Sequence, residues 1–225
     1  FLGGRGLAGY WSLGLLLPAA ALFLAAMGSA FNIGVRHILP VYPLLVIPAA
    51  GLAARRLRPR AFAALSAALL VSAGVSLASI HPYEFTYFNA FAGGPARGKE
   101  WLSDSNLDWG QDLKRLSVLL REKGWENDTT IVVYSGLATN YYLPEARVLV
   151  PGEPLRPGRY AVSALVETVG RPFVTLLEGP AEGERVEDLV LRLHRSGRRL
   201  ATVGNSITIW ELPPDAAPTT ETPPR

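Results

Sequence analysis

Three uncharged apolar runs fill most of the first eighty residues, and the pattern changes abruptly after them. Gly6 to Val35 carries no charge, and its apolar heart, about Tyr10 to Ala30, has the length needed to cross a hydrocarbon layer roughly 30 Å thick. Tyr10 and Trp11 at one end suit the aromatic belt of a membrane interface. A second run, Ile38 to Ala54, contains Pro40, Pro43 and Pro48. A lone soluble helix tolerates such prolines badly, whereas helices in lipid accept them when neighbours re-satisfy the freed backbone groups. The third run, Ala61 to Ile80, is rich in small residues that permit close helix packing. The predicted fold class is therefore an α-helical transmembrane region of three spans (about 10–30, 38–54 and 61–80) followed by a small extracytoplasmic α/β domain.

The remainder reads differently. Residues 81–100 form a predicted interfacial elbow ending in the Gly93–Gly94–Pro95 turn. From Trp101 to Leu212 apolar positions alternate between helical and strand periods. Leu107, Leu113, Leu116, Leu119 and Leu120 make one helical stripe over 107–123, with Gly124 as its C-cap. Strands are predicted at 130–135, closed by Gly136, and at 147–150 and 159–166. Val186, Leu189, Val190 and Leu193 share a face of a helix over 185–195, and 200–212 reads as a closing strand or hairpin with Gly204 inside it. The Pro/Thr-rich tail 213–225 is expected to be disordered.

Charge sharpens this division. Residues 1–80 hold six Arg and no acid, while the other 16 basic residues and all 19 acidic ones follow. The basic balance thus comes from an acid-free N-terminal third, with no basic stripe that would suit nucleic acid. Arg55, Arg56, Arg58 and Arg60 lie between the second and third runs. The positive-inside rule makes that segment cytoplasmic, so the third run exits outward and His81 onward is extracytoplasmic. The absence of Cys excludes a disulfide framework and a thiol nucleophile.

Three clusters could carry chemistry. Arg36 and His37 precede the second run. A guanidinium there matches a phosphate bidentately, or snorkels to headgroups. His81, Tyr83, Glu84 and Asn89 populate the elbow, either as a site facing a polar ligand or as an amphipathic segment lying on the bilayer. Asp104, Asn106, Asp108, Trp109, Gln111 and Asp112 form the third. Their alternating oxygens look like a calcium loop, but Trp109 stands where that loop needs Gly and Arg115 where it needs a bidentate Glu. A capped helix start fits better, with Asp108 and Asp112 on one face and Trp109 and Gln111 open to a sugar. No cofactor is expected, and a divalent cation is a subordinate reading. No nucleophile elbow, zincin motif, Walker loop or dinucleotide fingerprint is present.

In order, RHILPVYPLL, the Arg-rich segment, an apolar run, HPYEFTYFNAFAGGP and WLSDSNLDWGQDL resemble the C-terminal part of bacterial polyprenyl-phosphate-sugar-dependent glycosyltransferases. These belong to the GT-C superfamily, near glycosyltransferase family 39 and its protein O-mannosyltransferases. The likeness covers about residues 30–125. It implies a multi-span inner-membrane enzyme that takes a sugar from a lipid-linked phosphate and passes it to a glycan or protein acceptor on the outer face. In that family the catalytic base lies in an acidic external loop near the N-terminus. Here the first acid is Glu84, so no catalytic residue is assigned. Together with Phe1 in place of an initiator Met, this leads to the expectation that the chain is part of a longer enzyme. Arg36 and His37 match the donor-phosphate mouth; His81, Tyr83, Glu84, Asn89, Asp104, Asn106, Asp108, Trp109 and Gln111 would shape the acceptor side. The competing reading is a non-catalytic, membrane-anchored external domain that binds a glycan or a partner protein.

Overall fold

A computed structural model describes residues 4–29, 34–102, 106–133, 136–149 and 153–214. The chain divides into two compact units, Phe1–His81 and Pro82–Arg225. The first is helical. It comprises α1 (Gly4–Met27), a short 3-10 turn (Gly34–Ile38), α2 (Val41–Arg56) and α3 (Pro59–Ile80). Pro59 opens α3 at a position whose N–H needs no helical partner.

The expectation of three transmembrane spans does not hold. Among the described residues only Pro59–Ile80 is long and apolar enough to cross a membrane. The second run fails on length. Its first residue is taken by the 3-10 turn, Pro40 caps a fresh start, and α2 has 16 residues. At 1.5 Å per residue that is about 24 Å, short of the roughly 30 Å of hydrocarbon. Within α1 the apolar segment whose side chains are described, Leu13–Met27, is shorter than a span as well. Uncharged composition was the signal for all three segments, and composition does not measure how many residues stay in one unbroken helix.

The second unit is built on a five-stranded sheet of order β2-β1-β3-β5-β4, with β1 Thr129–Val132, β2 Arg147–Val148, β3 Gly158–Ser163, β4 Arg198–Val203 and β5 Ile207–Leu212. β1 pairs in parallel with β2 and β3, whereas β5 runs antiparallel to both β3 and β4. Side chains alternate between two faces, as strand geometry requires. Ile131, Ala161, Ile207 and Ile209 pack with Leu113, Leu116 and Leu120 of α4 (Leu113–Lys123). Val132, Tyr160, Val162 and Leu212 pack with Val166 of α6 (Ala164–Glu178) and Val186, Leu189 and Leu193 of α7 (Pro180–Ser196). Helices therefore cover both faces, and Leu116, Leu120, Leu189 and Ile209 are fully buried.

Several local boundaries differ from the sequence pattern. Gly136 starts a helix, α5 (Gly136–Tyr142), instead of only ending a strand. Ser163 stops β3 and caps α6 by accepting the Val166 N–H at 3.4 Å, so the predicted strand 159–166 gives way to helix after six residues. The hairpin turns at Gly204 and Asn205, both with positive φ (58° and 63°), which is the backbone a tight two-residue turn needs. Of the tail 213–225, residues 215–225 lie outside the described residues, as do Tyr134 and Ser135 of the predicted first strand.

Candidate functional site

From Asn106 onward, the described part of the polar motif forms no α-helix until Leu113. Residues 106–112 make a sequence of turns because their own side chains satisfy the backbone. Asp108 Oδ1 accepts the Gly110 N–H at 2.9 Å, and Gly110 adopts φ 75°. Gln111 clasps the same turn from both sides, accepting the Trp109 N–H at 2.8 Å and donating to the Leu107 carbonyl at 2.8 Å. The expected helix face shared by Asp108 and Asp112 is thus replaced by a loop. Asp112 stands at the N-terminal boundary of α4 without a side-chain capping bond.

Asp112 instead ties three segments of the unit together. It is 1% exposed; its Oδ1 accepts from Arg115 Nη1 at 2.6 Å and its Oδ2 from Ser206 Oγ at 2.6 Å. Arg115 reaches the elbow, donating to the Pro82 carbonyl at 3.2 Å with its guanidinium 4.8 Å from the centre of the Tyr83 ring. Thr86, fully buried, bonds the Tyr83 and Gly204 carbonyls and accepts from Asn205 Nδ2 at 3.3 Å. A side chain at position 204 would overlap the Asp112 carboxylate, so glycine is needed there for space as well as for φ. The cleft between these groups, lined by Tyr83, Glu84, Gln111, Asp112 and Arg115, measures about 140 Å³. That is well below the roughly 300 Å³ at which small-molecule sites begin. The cluster is suited to holding loops in place more than to enclosing a sugar.

Asp108 is also buried, 3% exposed, and its Oδ2 forms no hydrogen bond of good geometry. Burial pushes its pKa above the usual carboxylate value; the Gly110 N–H and the Ser163 hydroxyl pull it back, and the Asp112 charge adds to the rise.

The remaining predicted site residues fall in separate places. Arg36, exposed, and His37, half-buried, belong to the 3-10 turn of the first unit, and His81 is that unit's last residue. Tyr83 and Glu84 line the small cleft of the second unit. Asn89 acts as a cap, its Oδ1 accepting the Ala92 N–H at 3.0 Å. Asn106 is half-buried and Trp109 exposed. Asp104 lies outside the described residues. Among the described residues, no group of three His, Asp or Glu side chains is placed to hold a metal ion.

Two larger clefts escaped the sequence reading. One, of about 400 Å³, is lined by Arg147, Arg156, Arg159, Arg185, Glu153 and Glu211. Its charges are largely balanced: Arg147 pairs with Glu153 at 2.9 Å, and Arg159 lies 3.6 Å from Asp128 and stacks 4.7 Å from the Trp125 ring centre. The available signal was the run of arginines around the Pro/Gly-rich turn, read only as a loop. The second, about 370 Å³, is mostly apolar, with Val132, Val133, Phe173 and Leu177 on its walls. It depends on α6, which the strand prediction had hidden. Comparisons of the chain with protein-family models, with curated proteins and with solved structures find no match.

Proposed function

We propose that the chain is the C-terminal portion of an integral membrane glycosyltransferase that moves a sugar from a polyprenyl-phosphate donor to a glycan or protein acceptor on the outer face of a bacterial inner membrane. The α/β unit is its extracytoplasmic domain and supports the site without carrying the base. One observation carries this reading. The residues on which the family resemblance rests, around Pro82–Thr86 and Asp108–Asp112, are engaged with one another through Arg115, or with the Gly204–Ser206 turn. A motif used in this way positions loops, which agrees with a chemistry supplied by another segment of a longer enzyme. The apolar α3, preceded by Arg55, Arg56 and Arg58 and with Arg60 in its first turn, supports membrane residence with Pro82 onward outside.

The transfer leaves a lipid phosphate whose negative charge grows as the glycosidic bond breaks. The resemblance points to Arg36, with His37 beside it, as the group that stabilises that charge; the role requires Arg36 to stand at the outer face, and α2, too short to cross by itself, does not carry it there. The acceptor hydroxyl needs a carboxylate base within hydrogen-bond reach. Asp112 is occupied by Arg115 and Ser206, and Asp108 is buried, so neither is assigned that task. In the full-length enzyme Arg36→Ala is expected to lower kcat by about 10²–10³, the loss typical of one transition-state donor. Unchanged transfer from a polyprenyl-phosphate sugar removes Arg36 from the mechanism.

A second reading is favoured by the exposure of Trp109 and Tyr141, aromatic platforms of the kind that stack on sugars. On this reading the α/β unit binds a glycan or a partner protein without catalysis. Titration of the full chain with cell-envelope glycans, followed by tryptophan fluorescence, tests it; a flat response across the panel counts against it.

A further inference from the structure

The segment Asn89–Trp101 is a small rigid turn that points one apolar side chain into the open. Phe91 is 100% exposed. Its neighbours are fixed. Asn89 caps the 3-10 turn Ala90–Ala92, and Gly93 and Gly94 follow with φ of 83° and 73°. Trp101 Nε1 donates to the Ala92 carbonyl at 2.9 Å, holding the indole, itself 63% exposed, against the same turn. Phe88 behaves oppositely. Its ring packs so closely on Gly98 that a side chain there would overlap it. So the turn spends one phenylalanine on its own packing and presents the other outward. A phenylalanine held fully in water by a built turn gains nothing from folding, since apolar surface is stabilised only where water leaves it.

We infer that Phe91, flanked by Trp101, inserts into the outer lipid interface of the membrane that α3 crosses. The inference rests on the reading of α3 as a span. Lipid is the occupant argued for because the chain runs from Ile80, the last residue of α3, to Phe91 in eleven residues, and because the exposed residues are of the interfacial kind. Trp101 supplies an indole whose N–H is bonded to the Ala92 carbonyl, so the ring can enter an apolar layer without leaving a donor unpaired. Phe85 and Tyr87, both exposed, extend the apolar surface along the elbow, and the Arg97 side chain lies against Gly93, where its charge can stay at the headgroups while its stem covers the turn. The insertion would fix the height of the α/β unit over a lipid-linked donor.

The chain contains no Cys, so single reporters can be placed without background. Phe91→Cys, Leu70→Cys and Tyr141→Cys variants of the full chain, each carrying an environment-sensitive fluorophore, are reconstituted into phosphatidylcholine–phosphatidylglycerol vesicles. Leu70 lies within α3, and Tyr141 is an exposed aromatic of α5. The expected result is blue-shifted emission at 70 and at 91, most of it lost when nitroxide-labelled acyl chains are added, with water-like, unquenched emission at 141. Quenching at 70 but none at 91 overturns the insertion while leaving the span intact. A blue shift at 91 without acyl-chain quenching means a protein partner or a second copy covers it, and overturns it too. Quenching at 141 as strong as at 91 removes its specificity. Absence of quenching at 70 overturns the span and this inference together.

Discussion

The two units of this chain solve opposite burial problems. In the α/β unit Leu113, Leu116, Leu120, Leu165, Leu189 and Ile209 are sealed between helices and sheet, and the buried Asp112 is compensated by Arg115 and Ser206. In α3 only Ile80 is buried, whereas Leu69, Leu70 and Val71 face outward; Leu70 is 74% exposed. Water would drive the second arrangement to collapse or aggregate, because contiguous exposed apolar surface is a liability for a soluble protein. The first arrangement follows the rules of an aqueous solvent. The contrast teaches that side chains of one type, leucine above all, differ in burial from one segment to the next; on the proposed reading of α3 as a span, the change from lipid to water falls close to the boundary between His81 and Pro82.

The sharpest way to test that contrast is to remove one leucine from each unit. Leu116→Ala is expected to cost about 2–5 kcal/mol, the loss typical of a buried leucine truncated in a packed core. Leu70→Ala, on the outward face of α3, is expected to change stability by less than about 0.5 kcal/mol. Urea unfolding of the detergent-solubilised chain, followed by near-ultraviolet circular dichroism, compares them. Equal losses would erase the distinction between the units.

Next in size is the polar core of the α/β unit. Asp112→Ala leaves Ser206 without its acceptor and Arg115 without its carboxylate, for an expected loss of about 2–3 kcal/mol. The same unfolding midpoint reads it. Should the variant prove as stable as the parent, Asp112 does not join the elbow, α4 and the hairpin turn in the way described.

A smaller effect depends on pH. Asp108 has a folded pKa above its unfolded value of about 3.9, so between the two the folded state holds a proton that the unfolded chain has released. Stability contributed by this group is therefore greatest in acid and falls as pH rises through that window. The neighbours that face it are the Gly110 N–H, the Ser163 hydroxyl and the Asp112 carboxylate. Asp108→Asn is expected to flatten the fall in a series of unfolding curves from acid to neutral pH. A variant whose pH dependence matches the parent's would show that Asp108 is solvated after all. At the bottom of the scale, Arg97→Ala breaks a pair with Glu100 that lies open to water, and the midpoint is expected to stay where it is.

Much of the α/β unit was legible because its signals are local. The leucine stripe ahead of Gly124 marks α4, and the glycine within 200–212 marks a hairpin turn. Helix α6 was hidden because the apolar run of β3 continues into it without a polar break, and because Pro172 and the non-helical backbone at Val169 interrupt its period. The spans were over-counted because the uncharged run from Ile38 includes the end of the 3-10 turn and Pro40, residues that precede α2 and leave it 16 residues long. At the candidate site, Asp108 and Gln111 stood out as polar residues in a dense motif, but their bonds to Gly110, Trp109 and Leu107 are turn-making contacts. The joining role of Asp112 was beyond reach, since Ser206 is 94 positions away and nothing local links the two.

The central claim is that α3 carries the α/β unit across the membrane to its outer face. A pair of topology reporters fused after Leu212, one active only outside the cytoplasm and one only inside, measures this directly. Activity of the external reporter with silence of the internal one is the predicted result. The reverse pattern would place the α/β unit in the cytoplasm, away from a lipid-linked donor on the outer face, and would contradict the account.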